Sequence, residues 1–343
     1  MSADVTIDAA LLDALARFCG EAVAFRTPPV RISGGFWADI YGFELQDPPV
    51  GLAGQLVLRV MPDARAGRRE IIVQAWLADQ GYPVAAVLQA GTANGLGAAF
   101  MVMPRVLGRS PLASLRFATA VLGLRRTLRS IPVLLADAAS RLHSLDPTSL
   151  RAAFDDAEID AATGGATSFL ATVERAAVSE ATGFDELPRW FEANRPASNV
   201  EVVCHGDLHP FNLLVDEHGD MTVLDWTGAT IAPPEMDIGL SAALLRCAPI
   251  AVPKLIAPIF ARITNHLANA FVEESRRSHS LDDSAIAWWE ALQYARALGE
   301  VVHGRLTPGS AIGERHPFET AAPMMSRRLR VLTGVDVTLP LRR

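Results

Sequence analysis

Hydrophobic positions along the N-terminal third switch between helical and strand periods. Leu11, Leu15, Phe18, Cys19 and Ala22 recur at helical spacing and predict an amphipathic first helix. Residues 31–41 read as strand, loop and strand, with Gly34-Gly35 in the loop. Residues 55–61 alternate with period two: Leu56, Leu58 and Val60 share one face, Val57 and Arg59 the other. Residues 68–77 return to helical spacing, and Glu70, Val73 and Leu77 fall on one face, so an acid borders an apolar stripe. The apolar run from Phe100 ends at Pro104 and leads through Val106 to Gly108. Beyond it Leu134, Leu135, Ala138, Leu142 and Leu145 mark the core stripe of a helix, and residues 150–200 and 245–343 are Ala- and Leu-rich and helical. Residues 212–215 and 221–224 read as two short strands around the turn Glu217-His218-Gly219-Asp220. A turn centred between His218 and Gly219 sets Asn212 opposite Asp225, where directly opposed Cβ atoms lie roughly 4.5–5.5 Å apart.

Composition narrows the classes. A chain of 343 residues that is 50% hydrophobic can build substantial cores and is not a disordered protein. No uninterrupted apolar run reaches the length of a membrane span, so no membrane partner is expected. Met1-Ser2-Ala3-Asp4 has no positive region followed by an apolar stretch, so a cytoplasmic chain without a secretory signal is expected. Cys19, Cys204 and Cys247 are odd in number and far apart, which suits buried thiols in a reducing compartment. Cys204-His205 could be read as a nucleophile with its base, but Cys204 ends the apolar run Val202-Val203-Cys204 and is read as packing. No Cys/His spacing suggests zinc. The net charge of −7 argues against a nucleic-acid partner and is compatible with a cationic substrate. The oligomeric state is left open.

The chemistry concentrates in His205-Gly206-Asp207-Leu208-His209-Pro210-Phe211-Asn212, followed by Leu224-Asp225-Trp226. Asp207 and Asn212 stand five residues apart on a predicted loop, and Asp225 follows the second strand of the hairpin. Three such groups can serve phosphoryl transfer from a nucleotide held by Mg2+ to a hydroxyl, one orienting the attacking oxygen and two holding metal. Mg2+ takes hard oxygen ligands, one or two of them from protein. Singly, Asn212 and Asp225 would read as turn and cap residues; their register and the upstream Asp207 favour the metal reading.

His205-Gly206-Asp207-x4-Asn212 with Asp225 thirteen residues on resembles the aminoglycoside phosphotransferase family. The resemblance runs from about residue 25 to 245 and is strongest over 203–240. It implies an α+β, protein-kinase-like two-lobed fold. The N-terminal nucleotide-binding lobe, residues 1–107, would carry an antiparallel sheet and a helix, and a hinge would fall at about 102–108. The C-terminal lobe, residues 108–343, would be mainly helical, with a catalytic hairpin and the substrate site. It implies Asp207 as the catalytic base and Asn212 and Asp225 as the Mg2+ ligands. Phe211, where Gly is common, and Trp226-Thr227, where protein kinases carry Phe-Gly, depart from related patterns.

The resemblance also assigns the donor site. The family places a lysine at Arg59 to grip nucleotide phosphates, yet the single lysine here is Lys254. Arg59 keeps the charge and adds a planar fork, and Glu70 matches the family's helix acid that pairs with the strand cation. Backbone N–H groups of the Gly34-Gly35 loop would cover the phosphates. Met103, Pro104 and Val106 would meet the base, through the Pro104 carbonyl and the Val106 N–H. ATP is the default donor and GTP stays open. His143 is read as a structural hydrogen-bonding residue of its helix, His205 as a packing and hydrogen-bonding support of the catalytic loop, and Asp237 resembles a family Asp that braces that loop. The expected partners are a nucleotide and a small-molecule hydroxyl substrate. An aminoglycoside or macrolide kinase and a non-catalytic nucleotide binder are the alternatives, the latter favoured only by Arg59. Asp155, Asp156, Glu158, Asp185, Glu186, Glu273 and Glu274 could hold a polycation or simply be solvated helix faces.

Overall fold

A computed structural model describes residues 3–32, 38–92, 96–112, 120–160, 166–179, 181–198, 200–248, 250, 252–253, 255–306 and 316–341. The chain forms two compact units. The first comprises Met1–Ser110, Ser149–Ile159 and Leu213–Thr227, and the second Pro111–Thr148, Asp160–Asn212 and Gly228–Arg343.

The first unit is built on a five-stranded antiparallel sheet of order β1-β2-β3-β5-β4, from β1 (Ala24–Arg31), β2 (Asp39–Gln46), β3 (Gln55–Met61), β4 (Gln89–Gly91) and β5 (Ala99–Pro104). Pro28 and Pro29 lie in β1, the edge strand, where its register against β2 shifts; proline lacks the ladder donor and is tolerated there. Helix α1 (Ala3–Cys19) buries Leu11 and Leu15 with Leu56, Leu58 and Val102 on one face of the sheet. Phe18 is 58% exposed and Ala22 lies past the helix, contrary to the stripe read from the sequence. The stripe ends early because Gly20 adopts φ 73° and turns the chain.

On the other face Met61, Ala99, Met101 and Met103 pack together. Helix α2 (Ala64–Asp79) begins four residues before the predicted span. Asp63 caps it, accepting a hydrogen bond from the Ala66 N–H at 2.7 Å. Gly67 permits its close approach to the sheet: a Cβ there would stand 2.7 Å from Ala99 Cβ and 3.1 Å from Met61 Cβ. Helix α4 (Thr148–Asp156) lies almost wholly in this unit; Ser149 accepts the Trp76 indole N–H at 2.9 Å, and the Arg69 guanidinium stands 5.0 Å over the Phe154 ring.

The hairpin β7 (Leu213–Val215) and β8 (Met221–Val223) also belongs to the first unit. Its ladder pairs Leu213 with Val223 and Val215 with Met221, so the turn centres on His218. The predicted register is one residue out, and the ladder does not reach Asn212 or Asp225. Asp216 N–H bonds to the Asp220 carbonyl at 3.0 Å, its carboxylate takes the His218 and Asp220 N–H groups, and Gly219 sits at φ 92°. Three residues therefore span the tip, with glycine at the left-handed position such loops require.

The second unit is helical. Its elements are α3 (Ala120–His143), α5 (Ala166–Ala177), α6 (Leu187–Ala193), α7 (Pro234–Arg246), α8 (Ala257–Ser275), α9 (Asp283–Leu306) and α10 (Ala322–Thr333). A short antiparallel pair, β6 (Val202–Cys204) and β9 (Thr230–Ala232), completes it. Leu135, Ala138 and Leu142 are fully buried, as their spacing predicted, whereas Leu134 is half-buried and Leu145, also half-buried, lies past the end of α3. Helix α7 is buried on almost every side from Pro234 to Leu245, and α9 over most of its length, so polar residues such as Asp237 and Glu290 are carried into the core and need partners there. Trp288 and Trp289 pack edge to face at 5.0 Å and are buried in this core. Asp155, Asp156, Glu158, Asp185, Glu186 and Glu273 are exposed and Glu274 partly so, as solvated faces require. Among the described residues, no helix is long and apolar enough to cross a membrane.

Candidate active site

In the first unit the strand parity that points Leu56 and Leu58 at α1 turns Arg59 toward α2. Glu70, two helical turns from the Asp63 cap, meets it there. Arg59 Nε lies 3.0 Å from Glu70 Oε1, off the line of a hydrogen bond, and Nη2 donates to Oε2 at 3.4 Å. Both side chains are buried, so the ion pair expected from the sequence sits where removing one partner is costly, about 3–5 kcal/mol. The same Nη2 donates to Asp225 Oδ1 at 2.9 Å and to Thr227 Oγ1 at 3.3 Å. Thr227 in turn donates its hydroxyl proton to Asp225 Oδ1. The Glu70 carboxyl is raised to about 7: burial pushes it up, Arg59 pulls it back in part, and Asp225 raises it further.

Asp225 has φ 63°, a left-handed conformation that costs an L-residue about 1–2 kcal/mol. It lies two residues past the end of β8, and Trp226 behind it is fully buried, edge-on to Tyr82 at 5.5 Å. The strain is held by that anchor and by the hydrogen bonds on Oδ1. The sequence marked Thr227 only as a departure from Phe-Gly and not as a partner of Asp225, although a hydroxyl two residues from a carboxylate is an ordinary local partner.

Met103 is buried, its sulfur 3.6 Å from the Gln74 amide nitrogen, so its side chain faces the protein. Pro104 ends β5 exposed, and Val106 follows half-buried. Gly34 and Gly35 lie outside the described residues.

In the second unit the loop after β6 is held from beneath by Asp237. Its Oδ1 accepts the Gly206 N–H at 2.7 Å, and its Oδ2 accepts the His205 N–H at 2.8 Å and meets His143 Nε2 at 3.0 Å. Burial alone would push the Asp237 carboxyl up, but the hydrogen bond and charge of His143, with His205 and the Gly206 N–H, bring it below the usual range. Gly206 has φ 77°, and a Cβ there would fall 2.2 Å from the Gly228 carbonyl oxygen, so only glycine fits. His279 extends the brace, with Nε2 3.2 Å from His143 Nδ1; nothing in the local sequence pointed to it. Cys204 reaches the same cluster, with His143 and Asp237 atoms within 4.8 Å of its sulfur. Burial holds its thiol pKa far above the ordinary value, so it stays protonated and donates to the Ala232 carbonyl rather than ligating metal.

Asp207 stands above this brace with its side chain 42% exposed. Its N–H bonds to His205 Nδ1 at 3.2 Å, and His209 Nε2 lies 3.6 Å from its Oδ2. Asn212 closes a 310 turn over Pro210–Asn212 and is buried. Its Nδ2 donates to the Asp207 carbonyl at 2.9 Å. That bond fixes which end of the amide is nitrogen and leaves Oδ1 as the side chain's acceptor atom. Oxygen donors of this kind fit Mg2+.

A model of the phosphotransferase enzyme family matches residues 31–261. Three solved structures carry the same protein-kinase-like α+β fold. One is a protein of Ralstonia eutropha JMP134 assigned as an aminoglycoside phosphotransferase, with TM-score 0.64 and 18% identity, covering 95% of this chain and 98% of that one. A type I macrolide 2'-phosphotransferase gives TM-score 0.54 and 17% identity, covering 94% of each chain. A thermostable aminoglycoside phosphotransferase APH(4)-Ia mutant, bound to AMP-PNP and hygromycin B, gives TM-score 0.55 and 16% identity, covering 94% of this chain and 97% of that one. Among curated proteins, the uncharacterized YcbJ of Bacillus subtilis is 35% identical over 60 residues, and the match spans 20% of its length.

Proposed function

The chain belongs to the phosphotransferase enzyme family, and on that premise we propose that it transfers the γ-phosphoryl group of ATP to a hydroxyl of a small molecule. The observation that carries this reading is the buried Arg59 guanidinium, held by Glu70 and touching Asp225. A buried cation beside a carboxylate supports a phosphate-gripping role for Arg59 and a metal-holding role for Asp225.

Each residue then has a task. Arg59, fixed by Glu70, grips the donor phosphates. Asn212 and Asp225 would hold Mg2+, which when bound neutralises charge on the phosphoryl oxygens. Asp207, on a loop braced by Asp237, orients the acceptor hydroxyl and takes its proton. The backbone of Pro104 and Val106 meets the base, and ATP or GTP would fit contacts of that kind. Rate enhancement comes from positioning and charge neutralisation. AMP-PNP and hygromycin B bound to one neighbour, and AMP-PNP, Ca2+ and amicoumacin bound to another, support a nucleotide, a divalent ion and a small acceptor in this fold. A cytoplasmic setting follows from the same reading.

The test is turnover. A panel of hydroxylated small molecules incubated with ATP and Mg2+ should yield a product heavier by one phosphoryl group, read by mass spectrometry. Asp207→Asn should lower kcat by roughly 10²–10⁴-fold with nucleotide affinity kept. Full turnover in that variant would remove Asp207 from the reaction. Nucleotide binding without any acceptor would favour the non-catalytic binder that the arginine at position 59 first suggested.

A further inference from the structure

The C-terminal end of α7 meets α8, α9 and α10 around a 450 Å³ cleft in the helical unit. Arg246 lies nine residues along α7 from Asp237, about 13 Å at the helical rise, so the cleft stands apart from the braced loop. Its inner end holds two arginines on one acid. Arg246 Nε lies 3.1 Å from Glu290 Oε1, off the line of a hydrogen bond, and Arg328 Nη2 donates to the same oxygen at 3.0 Å. Tyr294 donates its hydroxyl proton to that oxygen as well, at 2.8 Å. Arg246 Nη1 is taken by Asn269 at 2.8 Å.

Two guanidinium charges face one carboxylate, and the carboxylate's Oε1 already meets three donors. Arg246 Nε and Arg328 Nε are both buried without a hydrogen-bond acceptor among the described residues. Both guanidiniums are paired with Glu290, so what the cleft offers a ligand is the excess of two cations over one carboxylate rather than these hidden Nε atoms. The third arginine of the cleft, Arg276, is different: it is engaged at the rim by Asp283 and Glu273, both well exposed and screened by solvent. Val272, Ile286 and Leu332 give the cleft an apolar wall. A planar guanidinium fork matches a carboxylate or a phosphate, and the volume suits a small molecule.

We propose that this cleft binds a small ligand through a carboxylate or phosphate group seated on Arg246 and Arg328. The proposal is independent of the phosphoryl-transfer reading. Its test is isothermal titration of the full chain with inorganic phosphate and, separately, with butyrate, at constant ionic strength in chloride. Saturable binding of either anion is expected; phosphate alone assigns a phosphorylated ligand, and butyrate alone a carboxylic acid. Arg328→Gln should weaken that binding about tenfold or more, the scale of one charge-assisted hydrogen bond. Glu290→Gln removes the competing carboxylate and should tighten it. Should Arg328→Gln fail to fold, Arg328→Lys keeps the charge and the stem, loses the fork, and should still weaken binding. An anion affinity unmoved by the Arg328 variant, weaker binding in Glu290→Gln, or no saturable binding of either anion would overturn the proposal.

Discussion

Glu70 holds a proton over a pH range in which solvated glutamates have lost theirs, because burial penalises its charge more than Arg59 rewards it. Its ordinary value of 4.5 applies in the unfolded chain and about 7 in the folded one. Between those values the folded state binds the extra proton, so the contribution to stability is complete below 4.5 and is lost as the pH rises through about 7. Glu70→Gln should therefore flatten the stability–pH curve across that window, and urea midpoints measured from acid to neutral pH would show it. A curve of unchanged slope would mean that Glu70 is ionised throughout and that Arg59 outweighs burial. The consequence reaches function, because a protonated Glu70 loosens its hold on Arg59 and frees the guanidinium for Asp225.

At the level of elements, the position of α2 decides whether Glu70 reaches Arg59 at all. Gly67→Ala would place a methyl 2.7 Å from Ala99 Cβ, and neither atom can swing aside. The helix must lift from the sheet at a cost of about 1–3 kcal/mol. A lower melting temperature together with a raised KM for nucleotide is expected, and a normal KM would separate helix position from phosphate grip. The loop after β6 depends on an element in the same way. Asp237→Asn supplies an amide N–H where oxygen accepted the His205 or Gly206 N–H, so one buried donor loses its acceptor. It should lower kcat while leaving the nucleotide KM near its original value; a change confined to KM would contradict a brace for Asp207. These elements differ in how plainly the chain announced them. The face of Arg59, the Glu70 stripe, the core stripe of α3 and the bracing role of Asp237 were legible, since periodicity fixes which way a side chain points. The hairpin register was not, because an Asx-bonded tip with left-handed Gly219 and a two-residue turn share the same turn composition. His279 was equally invisible, lying 136 residues from the histidine it meets, with nothing local to mark it.

For the whole molecule the decisive balance is charge. The chain carries a net −7, and a nucleoside triphosphate is itself strongly anionic. Arg59 supplies one buried cation but already shares it between Glu70 and Asp225. Without a metal, the donor would bring its phosphates toward the Asp225 carboxylate with little left to neutralise them. Mg2+ changes the sign of that interaction, so nucleotide affinity should depend steeply on the metal. A ligand that binds only the folded state at a hundredfold excess over its Kd adds about 2.7 kcal/mol. A chain with two compact units need not unfold in one step, so each transition has to be followed separately. ATP and GTP should each be titrated with Mg2+ and with EDTA. A rise in melting temperature with Mg2+ and one nucleotide, abolished by EDTA and by Asp225→Ala, is the expected result and would identify the donor. An equal rise in EDTA would assign binding to Arg59 alone and take Asn212 and Asp225 out of the metal role, leaving the family's fold with a different use for its acids.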